Sequence, residues 1–368
     1  MLSRVAKSVS SQNDDDVVIV CAVRTAVCRA KKGGFKDTPV EELLETVLKG
    51  VLQKSKIRPD LVEEITVGTV CSPSGGAMVS RMATLAAGYP ISTSVSTVNR
   101  QCSSGLQAVA STAHAIIAND IDIGIGAGVE SMTKHYMVPG MLPESFSERI
   151  SSANKSAQDT MLPMGMTSDT VAKEFSVSRE KQDQFAALSH SRALKAQKEG
   201  YFKEEIVPCH VQVDGQAQTI DQDDGIRPGT TAEKLSKLRA AFGEGGTTTA
   251  GNASQVSDGA SAVLLMRRSI AKKLGLKPLA KFVASAVVGV PPHIMGVGPA
   301  FAIPAALKKA NVSIQDVDIF EINEAFASQS IYCVEKLRIP IEKVNPKGGA
   351  IALGHPRIIY LFSWLYWS

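Results

Sequence analysis

The chain has 368 residues, 44% of them hydrophobic and 21% charged, an ordinary globular composition with room for two domains or two linked halves. Its formal net charge of +4 is mild and its basic residues are scattered, which argues against a nucleic-acid partner. No run approaches the roughly 20 apolar residues of a membrane-spanning helix, so a soluble protein without a membrane span is expected.

Residues 1–15 carry Arg4, Lys7 and several serines, with no acid before Asp14-Asp15-Asp16, the composition of a mitochondrial leader. Arg4-Val5 begins the N-terminal peroxisomal pattern, but Gln12 falls one position late and Asn13 follows it. A loose terminus fits the same residues. Residues 16–23 form a near-continuous apolar run, the signature of a strand covered on both faces. A helix is expected from Val40, because Leu43, Leu44, Val47, Val51 and Leu52 keep helical spacing. Short strands are expected at 65–70 and 95–98, then a helix over 105–118 with Leu106, Val109, Ala113 and Ile116 on one face. Alternating strands and helices make the fold class α/β.

Over 131–249 prolines punctuate the pattern and amphipathic helices such as 179–199 replace the strand rhythm, which predicts an insertion of about 131–250 within a first half spanning 16–268. The rhythm resumes with strands at 260–266, 282–288 and 317–322 and a helix at 300–310, giving a second half over 269–356. Residues 357–368 hold both tryptophans, Trp364 and Trp367, in an apolar cluster unlike what precedes it.

The six cysteines (Cys21, Cys28, Cys71, Cys102, Cys209, Cys333) show neither zinc-site spacing nor the density of a disulfide scaffold. They read as thiols, and no metal site is expected. Cys102 lies in Asn99-Arg100-Gln101-Cys102-Ser103-Ser104-Gly105, between a strand and a helix. Amide dipoles at a helix start favour a thiolate, although a small buried packing cysteine fits the spacing equally. Asn323, in Glu321-Ile322-Asn323-Glu324-Ala325-Phe326, suits either a helix cap or a polar site. His355, in Gly348-Gly349-Ala350-Ile351-Ala352-Leu353-Gly354-His355-Pro356, suits either a hydrogen-bonded structural histidine or a constrained turn that presents an imidazole.

Taken together these segments resemble the thiolase family. Asn99 to Ala108 is similar to the thiolase nucleophile segment, with its Gln-Cys-Ser-Ser form closest to the peroxisomal 3-ketoacyl-CoA branch. Gly33-Gly34-Phe35-Lys36-Asp37, Gly128-Val129-Glu130-Ser131-Met132, Pro163-Met164-Gly165-Met166-Thr167, Ala250-Gly251-Asn252-Ala253-Ser254 and Ser257-Asp258-Gly259-Ala260 follow in the family's order. The resemblance implies two similar α/β halves in α-β-α-β-α layers, and thiolytic cleavage of a 3-ketoacyl-CoA by coenzyme A. It implies Cys102 as nucleophile, His355 as base and Asn323 as holder of a water in an oxyanion hole. Met164 and Ser254 would line the coenzyme A path, although the first also suits a core gap and the second a turn. No permanently bound cofactor is implied, coenzyme A being a co-substrate. A homodimer and a peroxisomal location are implied, with the mitochondrion as the alternative suggested by the leader.

The resemblance departs after Pro356, where the family continues with Leu-Gly and later a second cysteine in a Cys-x-Gly setting. Here Arg357 follows, and no cysteine lies beyond Cys333. The C-terminal half is therefore expected to be incomplete and activity lowered, since one lost oxyanion donor typically costs about 2.7–4 kcal/mol. A non-catalytic acyl-CoA binder or dimer partner is the competing expectation. A condensing enzyme of the same fold would need a different trio from Cys102, Asn323 and His355.

Overall fold

The computed structural model describes residues 11–136 and 145–356; the first ten residues of the expected leader and the apolar tail at 357–368 lie outside the described residues. Strand β1 (Val17–Arg24) is buried along its length apart from half-buried Val20. Short β2 (Cys28–Arg29) follows, then helix α1 (Val40–Ser55), β3 (Glu64–Gly68), α2 (Ala77–Ala86), β4 (Ser94–Val98), α3 (Ser104–Ala118) and β5 (Ile123–Ser131). The insertion contributes α4 (Met164–Glu174), α5 (Arg179–Lys198) and the hairpin β6 (Cys209–Val213) with β7 (Gln216–Ile220). Strands β8 (Ser257–Arg267) and β9 (Ala280–Lys281) come next. Helices α6 (Pro299–Ala310), α7 (Ala327–Leu337) and the one-turn α8 (Ala350–Leu353) close the described chain.

One sheet runs in the order β4-β3-β5-β8-β1-β9, with β2 beside β8. Its β4, β3 and β5 are parallel, and β8 lies antiparallel between β5 and β1. The middle strand shows why helices cover both faces. Leu264 and Met266 of β8 join Leu43, Leu44 and Val47 of α1 in one core. Val263 and Leu265 join Val109, Ala113 and Ile116 of α3 in another. A period of two on the strand thus meets the apolar stripe of a helix on each side.

The insertion is fastened to the end of β1 by a buried charge cluster. Arg24 donates to both carboxylate oxygens of Asp223 at 2.7 and 2.8 Å and to Glu205 at 2.7 Å, and Asp223 also accepts from the Val27 amide at 2.7 Å. The β6–β7 hairpin was not expected from the sequence. Its signal was present, because Asp214-Gly215 joins the strands with positive φ at both residues, the turn that favours a two-residue hairpin.

Two expected strands are corrected. Over 282–288 there is no strand, and β9 stops at Lys281; over 317–322 Phe320 makes only an isolated bridge to Val344. Apolar β-branched residues make a strand only where a neighbour completes the ladder. At Ile322 a side chain takes the neighbour's part, with Asn345 accepting from the Ile322 amide at 2.8 Å and donating to its carbonyl at 2.9 Å. The apolar residues still find a core, since Val317, Phe320 and Ile322 pack with Ile303, Val334 and Val344.

Leu264 is fully buried, and Leu264→Ala should lower unfolding free energy by about 2–5 kcal/mol, read from urea midpoints at constant slope. A second expectation concerns His190 on α5, whose Nδ1 accepts from the Arg227 amide at 3.2 Å. Burial, reinforced by the Arg227 charge, pushes its pKa from the ordinary 6.5 down to about 4. Above both values the group contributes nothing to pH dependence. Between them the unfolded chain takes up a proton that the native state refuses, so stability falls as pH drops through that window, by up to roughly 3 kcal/mol. Urea titrations at pH 7 and pH 4.5 should show a smaller loss for His190→Gln than for the unaltered chain.

Candidate active site

Strands β4, β3, β5 and β8 come into register along the row Val98, Gly68, Gly128 and Ser261. Beyond that row only β5 and β8 continue, to the pair Ser131 and Asp258. The loop after β4 at this end carries Cys102, and the segment that enters β8 carries Ser254.

Cys102 lies between β4 and α3, immediately before the N-cap residue Ser103. Gln101 ahead of it has φ of +49°, an uncommon conformation for a residue with a side chain. Local bonds hold it there. The Gln101 amide donates to Asn99 Oδ1 at 2.9 Å, and Ser104 Oγ donates to the Gln101 carbonyl at 2.6 Å while accepting from the Arg100 amide at 3.0 Å. The start of α3 sits directly on the end of β3, where a Cβ on Gly68 would come within 2.5 Å of the Ser104 backbone. All six cysteines are thiols, and Cys102 is the one that is not buried. Burial pushes the Cys21 thiol up to about 11 and those of Cys209 and Cys333 to about 12, which makes them poor nucleophiles near neutrality.

The segment from Asn252 to Ser257, running into β8, gathers the other loops. Asn252 accepts from the Ala327 amide at 2.9 Å, the Ser254 amide donates to Ala325 at 2.9 Å, and the His355 amide donates to Gln255 at 2.8 Å. Two of those bonds hold the residues two and four positions after Asn323, and the third holds His355 itself. The two side chains meet, Asn323 Nδ2 lying 3.3 Å from His355 Nε2. Asn323 Oδ1 is enclosed and has no hydrogen-bond partner among the described residues, as suits an acceptor reserved for water or ligand. His355 is buried, 6% exposed, and is reached through Gly354, whose φ of +107° favours glycine.

Glu324, next to Asn323, is a buried clamp that the sequence did not single out. It accepts from Ser189 Oγ at 2.6 Å, from Asn345 Nδ2 at 2.7 Å and from the Ile351 amide at 3.2 Å. Burial raises its pKa, and those three donors oppose the rise. They tie α5, the loop at Asn345 and α8 to the Asn323 segment. Gln255 was likewise missed, since it falls between two recognised motifs. Its amide has no periodicity to betray it.

Met164 opens α4 and is 37% exposed. The Phe242 ring rests on the backbone of its neighbour Gly165 and meets Phe326 edge-on, with centroids 6.3 Å apart. Asn323 and His355 therefore meet directly, and Ser254 is bonded through its amide to Ala325, two residues beyond Asn323. Phe242 lies between the Met164–Gly165 turn and Phe326, while Cys102 stands on the separate loop between β4 and α3. Among the described residues no group of three His, Cys, Asp or Glu side chains could hold a metal ion, and no helix is long and apolar enough to cross a membrane.

Comparison with known proteins agrees with this architecture. The thiolase N-terminal domain model matches residues 17–269 and the thiolase C-terminal domain model residues 276–358. The peroxisomal 3-ketoacyl-CoA thiolase B of Rattus norvegicus is 55% identical over 93% of this chain and 81% of its own length. The peroxisomal 3-ketoacyl-CoA thiolase of Homo sapiens is 54% identical over the same shares. The dimeric peroxisomal thiolase of Saccharomyces cerevisiae superposes with a TM-score of 0.89 at 46% identity, covering 95% of this chain and 89% of that one. The expected incompleteness of the C-terminal half is not borne out, because the C-terminal domain match runs through residues 357 and 358. The chain has the thiolase fold and belongs to the thiolase family.

Proposed function

We infer that the chain is a 3-ketoacyl-CoA thiolase of fatty-acid β-oxidation, acting in the peroxisome. It cleaves a 3-ketoacyl-CoA with coenzyme A to acetyl-CoA and an acyl-CoA two carbons shorter. The observation that carries the reading is the Asn323–His355 pair at 3.3 Å, beside an enclosed amide oxygen with no partner among the described residues. The peroxisomal names of the relatives at 54–55% identity support the location. The matches meeting near residue 270 support halves at 16–268 and 269–356.

His355 takes the Cys102 proton, and the thiolate adds to C3 of the substrate. The C2–C3 bond breaks with its electron pair on C2, giving an enolate of acetyl-CoA that takes up at C2 the proton His355 holds, which leaves His355 neutral and the shortened acyl group on Cys102. Asn323 and His355 face the enolate oxygen and offset its charge. His355 next accepts the proton of coenzyme A, whose thiolate displaces Cys102 and regenerates it. Met164 and Ser254 border the pantetheine path, with Phe242 and Phe326 beside them. The steps draw on thiolate, imidazole and amide, with coenzyme A as co-substrate.

A homodimer is the assembly proposed. Strand β4 ends the sheet order and is largely unburied, leaving an open edge. Met78, Met82 and Leu85 on α2 are 76%, 52% and 42% exposed, and nearby Ile91 is 84% exposed. These residues make an apolar surface of the kind that marks an interface. Met82→Glu should halve the mass measured by light scattering.

Brief incubation with 3-ketoacyl-CoA alone should yield an acyl adduct on Cys102 by mass spectrometry, and Cys102→Ser should lower acetyl-CoA release on the order of 10³-fold or more. An adduct on another cysteine would overturn the site assignment. Saturable substrate binding without acetyl-CoA release would assign an acyl-CoA binder instead.

A further inference from the structure

We propose that Gln255 is a positioning residue that aims the His355 imidazole, an inference that rests on the reading of His355 as the base. His355 follows α8, a single turn of four residues. Such a turn is far too short to be stable on its own, so its orientation is set by what holds its two ends. At the N-terminal end the Glu324 carboxylate accepts from the Ile351 amide. At the C-terminal end the carbonyls of Ile351 and Ala352 point out of the helix without intrahelical partners, as the last carbonyls of any helix do.

Gln255 satisfies that second end. Its Nε2 donates to Ile351 O at 3.3 Å and Ala352 O at 3.4 Å, and to Gly225 O at 2.9 Å. Its Oε1 accepts from Arg227 at 3.2 Å. The same residue's backbone carbonyl accepts from the His355 amide at 2.8 Å, and from Ser257 Oγ at 2.9 Å. One residue therefore grips α8 through its side chain and His355 through its main chain. The 223–227 loop against which it braces is itself fixed, since Asp223 is held by Arg24 and the Arg227 amide by His190. The side chain needs both a donor and an acceptor in this orientation. Three carbonyl oxygens face Nε2 and a guanidinium faces Oε1, which an amide satisfies and a carboxylate does not.

Two variants separate aiming from mere stability. Gln255→Met keeps length and volume but removes all four side-chain bonds. Gln255→Glu, when ionised, turns a carboxylate oxygen toward three carbonyls, and when protonated restores one donor. For Gln255→Met, kcat for thiolysis should fall about 10–100-fold, the range that a displacement of about 1 Å at a reacting group produces, with KM for the 3-ketoacyl-CoA within twofold. For Gln255→Glu, activity relative to the unaltered enzyme should be lowest at pH 8 and rise as pH falls, a profile that general loss of stability does not give.

A readout independent of turnover is the ring C–H NMR signal of His355, assigned by its loss in His355→Gln among the six histidines. That signal should shift in Gln255→Met while the other histidine signals remote from the loop stay fixed. Unchanged kcat and an unchanged His355 signal in both variants would overturn the inference. If the unaltered protein releases no acetyl-CoA yet the His355 signal moves in Gln255→Met, the positioning stands and the proposed reaction fails.

Discussion

The constraint on which the rest depends is the run of main-chain hydrogen bonds that Asn252, Ser254 and Gln255 make just before β8. Those residues are the last irregular backbone ahead of a strand buried in the middle of the sheet, so their positions are inherited from the most rigid part of the molecule. By accepting from Ala327 and His355 and donating to Ala325, they pass that rigidity to two loops contributed by distant parts of the sequence. A site assembled on loops is normally less exact than one on regular elements. Here the loops are stitched to a strand, and the Asn323–His355 contact follows.

Buried polar groups complete the arrangement, and two of them are fully answered. Glu324 has three donors, and Asn345 uses both its oxygen and its nitrogen on the segment that carries Asn323. Removing one member of such a set leaves the others unsatisfied in a low-dielectric interior, a loss larger than any single bond. Asn323 Oδ1, by contrast, has no partner among the described residues. A buried acceptor left open beside two fully bonded neighbours calls for an explanation, and a water or ligand supplies one.

Much of the first half was legible because its signals are local. The unbroken apolar run at β1, the helical spacing of Leu43, Leu44 and Val47 and the Gly-bounded start of α3 each record burial in a short window. The motif residues around Cys102, Asn323 and His355 were legible through resemblance, since spacing alone left packing, capping and structural readings open for each. Three features were not read correctly. Residues 282–288 and 317–322 carry strand-like composition without a ladder to join, because pairing is a property of neighbours rather than of the segment. The Asp214-Gly215 hairpin was visible but went unread amid prolines. Gln255 and Glu324 act through contacts with residues dozens of positions away, which no window along the chain contains.

The Arg24–Asp223–Glu205 cluster has a consequence for how ligands come and go. A guanidinium that is 4% exposed, with two carboxylates against it, binds the insertion to the sheet through charges removed from water. Swinging the insertion away as a flap would part them and break four hydrogen bonds at once, so the cluster opposes such a motion. The insertion is thereby held to the sheet as a fixed wall, and exchange of coenzyme A esters has to proceed with that wall in place.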